Sequence, residues 1–249
     1  MGDKRKEEGS TMKKYVAEFF GTFVLVFIGC GTAMLVGCDS VDGCGYLLTA
    51  LAFGLAIVAM AYGFGNISGG HVNPAVSLAV FINGGMNAKD LCGYIVAQLL
   101  GATAGSATLA CIFSMSGIED MTGALGCNGV PEAASSPMAA AVLVEIITTC
   151  IFIVTILGVT SKKQNHGSFG GLIIGLTLVG LHIVSIGITG TSVNPARSLG
   201  PAIVTAISGD TTGISNVLAF IIGPFLGAAI GAFLYKWLES PDAAAAGKK

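Results

Sequence analysis

Charged residues are scarce in this chain. Only 10% of its 249 residues are Asp, Glu, Lys or Arg, whereas a soluble globular domain carries about a quarter. Hydrophobic residues make up 53% of the sequence, and the mean hydropathy is +0.81. This composition excludes a water-soluble domain and is typical of a chain embedded in a bilayer. No basic stripe with interleaved aromatic residues appears, so no nucleic-acid partner is predicted.

Residues that bind metals or act as nucleophiles are also few. The three histidines and the serines show no nucleophile–base arrangement, so we predict neither an enzyme nor a cofactor or metal site. Four of the seven cysteines lie in apolar segments: Cys30, Cys92, Cys111 and Cys150. A small apolar side chain is their expected role. Cys38, Cys44 and Cys127 fall in loops, and their spacing leaves open whether two of them form a disulfide.

Six apolar segments are long enough to cross a bilayer core of about 30 Å. They are residues 15–37, 45–65, 90–113, 138–160, 168–189 and 216–238. A signal peptide is the alternative for the first segment, but its apolar run is too long and contains Glu18, so we interpret it as a span. An all-α membrane protein with six transmembrane helices is therefore predicted.

The positive charges fall on one side of this six-span arrangement. They precede span one, separate spans two and three, follow span four and close the chain: Lys4, Arg5, Lys6, Lys13, Lys14, Lys89, Lys162, Lys163, Lys236, Lys248 and Lys249. The charged residues in the loops of the other side are all acidic. By the positive-inside rule, both termini are expected to be cytoplasmic, in a cell (inner) membrane. Residues 1–13 are then a cytoplasmic arm, residues 14–238 the membrane domain, and residues 239–249 a cytoplasmic tail.

Two short blocks between the spans share the sequence Asn-Pro-Ala. Residues 68–77 are Ser-Gly-Gly-His-Val-Asn-Pro-Ala-Val-Ser, and residues 189–198 are Thr-Gly-Thr-Ser-Val-Asn-Pro-Ala-Arg-Ser. Asn is a good N-cap and Pro suits the first helical position, so each block is predicted to be a loop that enters a helix. The helices, 73–82 and 194–206, are too short to span a bilayer. Irregular backbone at membrane depth is tolerated where it lines a watery cavity, so we interpret both loops as walls of a pore.

The chain contains an internal repeat of three spans. Glu18 and Glu145 lie 127 residues apart in the first span of each half, and the two Asn-Pro-Ala blocks are 121 residues apart. A Gly-x-x-x-Gly pair, typical of close helix crossings, recurs in the third span of each half. Since three is odd, the second copy, about residues 138–238, is predicted to be inverted relative to the first, about residues 14–115. The two loops then meet near the midplane from opposite faces.

With two Asn-Pro-Ala blocks, six spans and a Glu in the first span of each half, residues 14–238 resemble the aquaporins, the major intrinsic protein family. The resemblance includes Arg197 after the second block, and the stretches Ser68-Gly-Gly-His71 and Ser192-Val-Asn-Pro-Ala-Arg-Ser198 look like the bacterial water-channel branch. The resemblance implies a passive water channel that excludes protons and ions, assembled as a homotetramer in the lipid bilayer. A glycerol or small-neutral-solute facilitator is the alternative; its members usually carry Asp where Ser198 stands here. A secondary transporter is less favoured, because no ion-coordinating cluster can be named.

Six residues of the two blocks are predicted to form the centre of the pore: Asn73, Pro74, Ala75, Asn194, Pro195 and Ala196. As N-cap, each Asn oxygen can accept from the start of its own helix, which leaves the NH₂ group as a donor to a passing water. A water held by its oxygen cannot accept a hydrogen bond in line, which interrupts a proton wire. The positive ends of both half-helices repel cations at the same point.

Arg197 is the only Lys or Arg well inside the membrane region, and such a charge is functional by default. The resemblance places it at a selectivity constriction together with Phe53, His182 and Thr191. Taken alone, His182 would be interpreted as a core histidine.

Backbone carbonyls of both loops are expected to form a ladder of acceptors for water. They belong to Gly69, Gly70, His71, Gly190, Thr191 and Ser192. Glu18 and Glu145 are expected to support the loops by accepting hydrogen bonds from loop N–H groups of their own repeat. A pair of proton-relay carboxylates is the alternative, because intramembrane carboxylates mark relays in pumps.

Overall fold

The computed structural model describes residues 2–38, 44–130, 133–163 and 166–240, with the backbone alone given for residues 2–8. Within these ranges the regular secondary structure is helical. The helices are α1 (Gly2–Val36), α2 (Cys44–Ser68), α3 (Pro74–Ile82), α4 (Ala88–Ser116), α5 (Pro137–Thr160), α6 (Gly170–Thr189), α7 (Pro195–Ile207) and α8 (Thr212–Leu238), with a 3₁₀ turn at Gly167–Phe169.

Six of these helices are long and apolar enough to cross a membrane: α1 from Gly9, α2, α4, α5, α6 and α8. With nine and 13 residues, α3 and α7 are only about 14 and 20 Å long at roughly 1.5 Å per residue. The prediction of six transmembrane helices with two half-helices is therefore confirmed. We call the side on which α1 begins proximal and the side on which it ends distal.

The N-terminal helix is longer than the predicted span. It begins at Gly2, so most of residues 1–13, expected to form an arm, continues span one as helix. Lys, Arg and Glu are good helix formers, which accounts for the extension into this charged segment. The division into arm, membrane domain and tail stays a prediction, since residues 1 and 241–249 lie outside the described ranges.

The loop cysteines are not cross-linked in this structure. Cys44 and Cys127 are both free thiols. A disulfide among Cys38, Cys44 and Cys127 would need at least one of these two thiols, so none is formed here.

The helix contacts show how the two repeats are related. α1 packs against α4 and α5 packs against α8, while α3 packs on α8 and α7 packs on α4. α2 and α6 pack against each other. Exchanging α1–α4 for α5–α8 leaves this set of pairs unchanged. The fold is thus an inverted 3+3 repeat in which α2 and α6 meet across the pseudo-two-fold axis.

Glycines permit the closest helix crossings at equivalent positions of the two repeats. A Cβ added to Gly101 on α4 would lie 2.1 Å from the carbonyl oxygen of Phe19 on α1. A Cβ added to Gly227 on α8 would lie 2.4 Å from the carbonyl oxygen of Ile146 on α5. Backbones that approach this closely leave no room for any side chain, as is common where helices pack in lipid.

Candidate pore and constriction

Each half-helix begins as its Asn-Pro-Ala sequence dictates. The Asn73 side chain caps α3, its Oδ1 accepting from Ala75 N at 2.8 Å. Oδ1 of Asn194 caps α7 by accepting from Ala196 N at 3.1 Å and from Arg197 N at 3.2 Å. Both asparagines have extended backbone, and a proline follows at the first helical position. Two helix N-termini, each with partial positive charge, are thereby directed into the interior of the bundle.

The two asparagines also tie the loops to each other. Nδ2 of Asn73 donates to the carbonyl oxygen of Val193 at 2.7 Å, and Nδ2 of Asn194 donates to that of Val72 at 2.9 Å. From the sequence, both hydrogens of each NH₂ group are expected to point outward, toward water. In the structure one hydrogen of each group bonds the opposite loop, and only the second remains available to water.

The two valines that accept these hydrogen bonds have an unfavourable backbone conformation. Val72 has a φ of 43° and Val193 a φ of 47°, values that are rare for β-branched residues and cost about 1–3 kcal/mol each. The valine that precedes each asparagine is thus held in the left-handed region while its carbonyl bonds the asparagine of the other repeat.

Glu18 holds the first loop through both carboxylate oxygens. Oε1 accepts from Ser68 Oγ at 2.6 Å and from His71 N at 2.9 Å. Oε2 accepts from Val72 N and from Gln98 Nε2, each at 2.7 Å. With four donors around one buried carboxylate, its acceptor positions are occupied. This arrangement favours loop support over a proton relay.

Glu145 makes the equivalent contacts in the second repeat. Oε1 accepts from Thr189 Oγ1 and from Ser192 N, each at 2.9 Å, and Oε2 accepts from Val193 N at 2.7 Å. The carboxylate is fully buried. Burying a carboxylate is costly unless it is well hydrogen-bonded, so each glutamate and its loop stabilise one another.

The six carbonyls predicted to form an acceptor ladder lie in these loops. Among the described residues, no protein N–H or O–H group donates to any of them. Gly69, Gly70, Gly190 and Thr191 have positive φ values between 49° and 91°. The loops therefore leave a row of carbonyl oxygens whose bonding capacity is open to solvent molecules.

A cavity of about 240 Å³ lies against the first loop on the proximal side. Gly69, Gly70 and His71 contribute to its wall. The rest is largely apolar and includes Ile57, Val76, Phe152, Ile156 and Ile174. A polar strip on an otherwise apolar wall binds water weakly, which suits passage better than storage.

His71 has its ring packed into the protein. Nδ1 lies 3.1 Å from Ser77 Oγ, and the ring stands edge-on to Tyr94 with centroids 5.2 Å apart. The backbone N–H of His71 donates to Glu18 instead, so the ring and the backbone of this residue have separate contacts.

Three of the four residues predicted for the constriction form one cluster. The rings of Phe53 and His182 are stacked, with centroids 4.7 Å apart, and the guanidinium carbon of Arg197 lies 4.7 Å from the Phe53 centroid. All three are at most 3% exposed. The structure thus brings together one aromatic wall, one imidazole and one cation, drawn from α2, α6 and α7.

Two polar atoms of this cluster have no protein partner. Nδ1 of His182 lies 3.0 Å from the carbonyl oxygen of Leu178, which can only accept, so Nδ1 carries the proton and Nε2 of the neutral ring is an acceptor. That Nε2 and Arg197 Nε are both buried and have no hydrogen bond among the described residues. An acceptor and a donor without partners in one buried cluster match the bonding needs of water.

Thr191 has a different place from the other three. Its Oγ1 lies 2.8 Å from Ser185 Oγ on α6, and its backbone has a φ of 49°. The hydroxyl is bonded to Ser185 rather than to the predicted partners, Phe53, His182 or Arg197. Its membership of the constriction stays a prediction.

Two polar side chains that complete the site, Gln98 and Asn128, were not among the residues predicted from the sequence. In the first repeat, Gln98 Nε2 on α4 donates to Ser77 Oγ at 3.0 Å. The position equivalent to Gln98 in the second repeat is Pro224, and there Asn128, from the loop between α4 and α5, accepts from Ser198 Oγ at 2.7 Å. Gln98 was detectable as a polar residue in an apolar span. Asn128 carried no such signal.

The described residues contain no group of three or more His, Cys, Asp or Glu placed to hold a metal ion.

The sequence of this chain is similar to those of known proteins. A family model described as "Major intrinsic protein" matches residues 5–235. The chain is 47% identical over 234 residues to Aquaporin Z of Brucella melitensis biotype 1, and the aligned region covers 93% of this chain and 100% of the relative. It is 41% identical over 243 residues to Aquaporin Z of Bradyrhizobium diazoefficiens, with 96% and 98% covered.

Two further similarities are to proteins whose names refer to glycerol transport. The chain is 42% identical over 231 residues to Glycerol uptake facilitator protein-like 6 of Lactiplantibacillus plantarum, with 93% of this chain and 100% of the relative covered. Its fold matches the X-ray structure of the aquaglyceroporin from Plasmodium falciparum with a TM-score of 0.80 at 24% identity, covering 96% and 100% of the two chains. At that identity the match demonstrates the fold alone.

Proposed function

The chain belongs to the major intrinsic protein family, and on that premise we propose that it is a passive water channel that excludes protons and ions. Water moves in either direction down an osmotic gradient through the space between the two loops. The Aquaporin Z relatives, at 41–47% identity, support water as the principal substrate.

The observation that carries the proposal is the meeting of Asn73 and Asn194. Each side chain caps its own half-helix, bonds the opposite loop and keeps one N–H for a water molecule. A water that accepts from both asparagines has its two hydrogens directed along the pore, away from the centre. It cannot receive a proton from a neighbour in line, and the two helix N-termini disfavour a cation at the same point.

Selectivity is assigned to the cluster of Phe53, His182 and Arg197. The fixed positive charge of Arg197 opposes cations, while the two stacked rings limit the width of the passage. The partnerless His182 Nε2 and Arg197 Nε provide an acceptor and a donor for water. Thr191, with the carbonyls of its loop, completes this constriction in the proposal.

Glycerol or another small neutral solute is the second candidate. It is favoured by the similarity to Glycerol uptake facilitator protein-like 6 over nearly the whole chain. Against it stand Ser198 and the ring of His182, which stacks directly on Phe53 and fills space that a larger solute would need.

The protein is proposed to span the inner membrane with both termini in the cytoplasm. The support is the charge distribution: Lys13, Lys14, Lys89, Lys162 and Lys163 all lie at the proximal ends of helices or in proximal loops. The membrane domain corresponds to residues 14–238. A homotetramer is proposed from membership of the family.

Stopped-flow light scattering of proteoliposomes tests the proposal. Vesicles that contain the protein are expected to shrink much faster than empty vesicles under an impermeant osmotic gradient, and to show little glycerol re-swelling above the empty control. Shrinkage no faster than that of empty vesicles would refute water conduction. Glycerol re-swelling as fast as water exit would instead establish the second candidate.

A further inference from the structure

The loop of residues 117–130 reaches the constriction through a single backbone group. The carbonyl oxygen of Gly126 accepts from Arg197 Nη1 at 2.9 Å. Gly126 is buried and lies outside any helix. Its carbonyl also accepts a weak hydrogen bond from Cys30 Sγ on α1 at 3.8 Å, and the rest of its support comes from the hydrogen bonds of its own loop. Whatever orders this peptide therefore also orders the guanidinium group.

Asp120 fixes the turn that leads to this peptide. Its Oδ1 accepts from Thr122 N at 2.9 Å and from Thr122 Oγ1 at 2.7 Å, and its Oδ2 accepts from Leu125 N at 2.7 Å. One carboxylate thus closes the turn at both ends. Hydrogen bonds to an ionised acceptor are roughly twice as strong as neutral ones, which suits a loop without a helix to support it.

Thr122 carries the connection from Asp120 to Gly126. Its hydroxyl donates its single hydrogen to Asp120, so its oxygen is left as an acceptor, and Gly126 N donates to it at 2.9 Å. Leu125, with a φ of 52°, and Gly126, with a φ of 68°, both lie in the left-handed region. Glycine adopts this region readily, but Leu125 is held in a conformation that it would rarely adopt by local preference.

The space around Gly126 allows little adjustment. A Cβ added there would lie 3.0 Å from Cys30 Cβ on α1. The peptide is thus wedged between α1 on one side and the guanidinium group on the other, while Thr122 holds its N–H.

We propose that Asp120 and Thr122 are positioning residues that set the location of the Arg197 guanidinium group, and through it the selectivity of the pore. The positioning role rests on the geometry alone, while the selectivity role rests on the proposed function. Neither side chain touches the cluster of Phe53, His182 and Arg197 directly. They act through the Gly126 peptide, whose carbonyl holds Nη1 while the guanidinium group lies over the Phe53 ring.

The arginine count makes the positioning role directly measurable. The chain contains two arginines, Arg5 and Arg197, so an Arg5→Lys background leaves Arg197 as the only source of a ¹⁵N-arginine side-chain signal. In solid-state NMR of the labelled protein in bilayers, we expect two resolved Nη signals, because the bond to Gly126 slows rotation of the guanidinium group. Thr122→Val, which removes the acceptor for Gly126 N, is expected to merge or shift them. Thr122→Ser keeps the hydroxyl and is expected to preserve them.

The selectivity role is measured in unlabelled proteoliposomes as the ratio of glycerol to water permeability, which does not depend on the amount of protein inserted. Thr122→Val and Asp120→Asn are expected to raise this ratio roughly two- to tenfold, the factor that one hydrogen bond is commonly worth. Thr122→Ser is expected to restore the wild-type ratio. Asp210→Asn is the matched control, because Asp210 also caps a distal turn, accepting from Thr212 N at 2.9 Å, but has no link to Arg197.

The outcomes separate this inference from the proposed function. Unchanged Nη signals in Thr122→Val would refute the positioning role, whatever the vesicles conduct. Altered signals with an unchanged permeability ratio would refute the selectivity role alone. Altered signals in a wild-type background that conducts no water would uphold the positioning role while the proposed function failed. An equal rise in the Asp210→Asn variant would show that loss of distal negative charge, and not the turn, changes the ratio.

Discussion

The guanidinium carbon of Arg197 lies 4.7 Å from the centre of the Phe53 ring. A cation over an aromatic face gains about 0.5–2 kcal/mol, and the bond to Gly126 adds a second restraint. The positive charge is therefore held at one place in the proposed constriction, where it would act on every particle that passes.

Replacing Arg197 with Val is expected to preserve water permeability and to admit protons. Two unit charges about 6 Å apart repel by roughly 3 kcal/mol at an effective dielectric constant of about 20. Removal of this repulsion should raise the proton leak by about tenfold to a hundredfold. A pH-sensitive dye inside liposomes measures the leak, and light scattering measures water flow in the same preparation. An unchanged leak beside intact water flow would argue against the charge as the barrier.

Widening the constriction is expected to raise glycerol flux. Phe53→Ala removes one of the two stacked rings, and His182→Gly removes the other. Either change should increase glycerol permeability by about tenfold, which corresponds to about 1.4 kcal/mol off the barrier. The measurement is glycerol re-swelling of proteoliposomes. If correctly inserted variants take up glycerol no faster than the wild type, the narrowest point lies elsewhere.

Mercurials are expected to have little effect on the wild-type protein and to block Thr191→Cys. Position 191 lies in the second loop, where a mercury-bound thiolate would project into the proposed water path. Cys127 follows Gly126, whose carbonyl binds Arg197, and its Sγ lies 3.8 Å from Thr205 Oγ1. Burial raises the pKa of that thiol to about 11, so it is protonated and weakly nucleophilic at neutral pH.

Water permeability before and after a mercurial, with recovery by a reducing thiol, measures this effect. Strong reversible block of the wild type that maps to Cys30, Cys92, Cys111 or Cys150 would show that one of these residues lines the pore.

The closest helix crossing gives a prediction about stability. Gly101→Ala places a methyl group where only 2.1 Å separates its Cβ from the Phe19 carbonyl oxygen. Overpacking of this kind costs about 1–3 kcal/mol, so thermal unfolding in detergent should move to lower temperature. Gly63→Ala is the control, since nothing lies within 4 Å of its added Cβ, and a helical alanine is neutral or favourable there. Equal unfolding temperatures for the two variants would contradict the packing argument.

The parts of the molecule that the sequence predicted well are those controlled by local chemistry. Residues 73–82 were predicted as a half-helix, and α3 is Pro74–Ile82, because an Asn cap and a following proline define a helix start without help from the fold. The spans likewise follow from apolar length alone. The capping role of Asn73 belongs to the same class.

The parts that the sequence did not predict depend on contacts between distant segments. Gly126 lies 71 residues from Arg197, and Asn128 lies 70 residues from Ser198. Their loop has neither a hydrophobic period nor a repeat partner, so no pattern distinguishes these residues from other loop residues. The second hydrogen bond of Asn73, to Val193, was missed for the same reason, because it exists only once both loops are in place.

Each asparagine donates a hydrogen bond to a valine carbonyl of the opposite loop, and this arrangement has a consequence for biosynthesis. The donors around Glu18 all precede residue 99, so a nascent chain can complete the first loop before the second repeat has left the ribosome. The Val72 carbonyl must then wait for Asn194, which is made 122 residues later. Until Asn194 is made, no hydrogen bond from it offsets the unfavourable conformation of Val72. The first repeat alone then forms only one of the two walls of the proposed pore. A chain that ends before the second repeat would therefore insert its helices into the membrane without forming a water-conducting pore there.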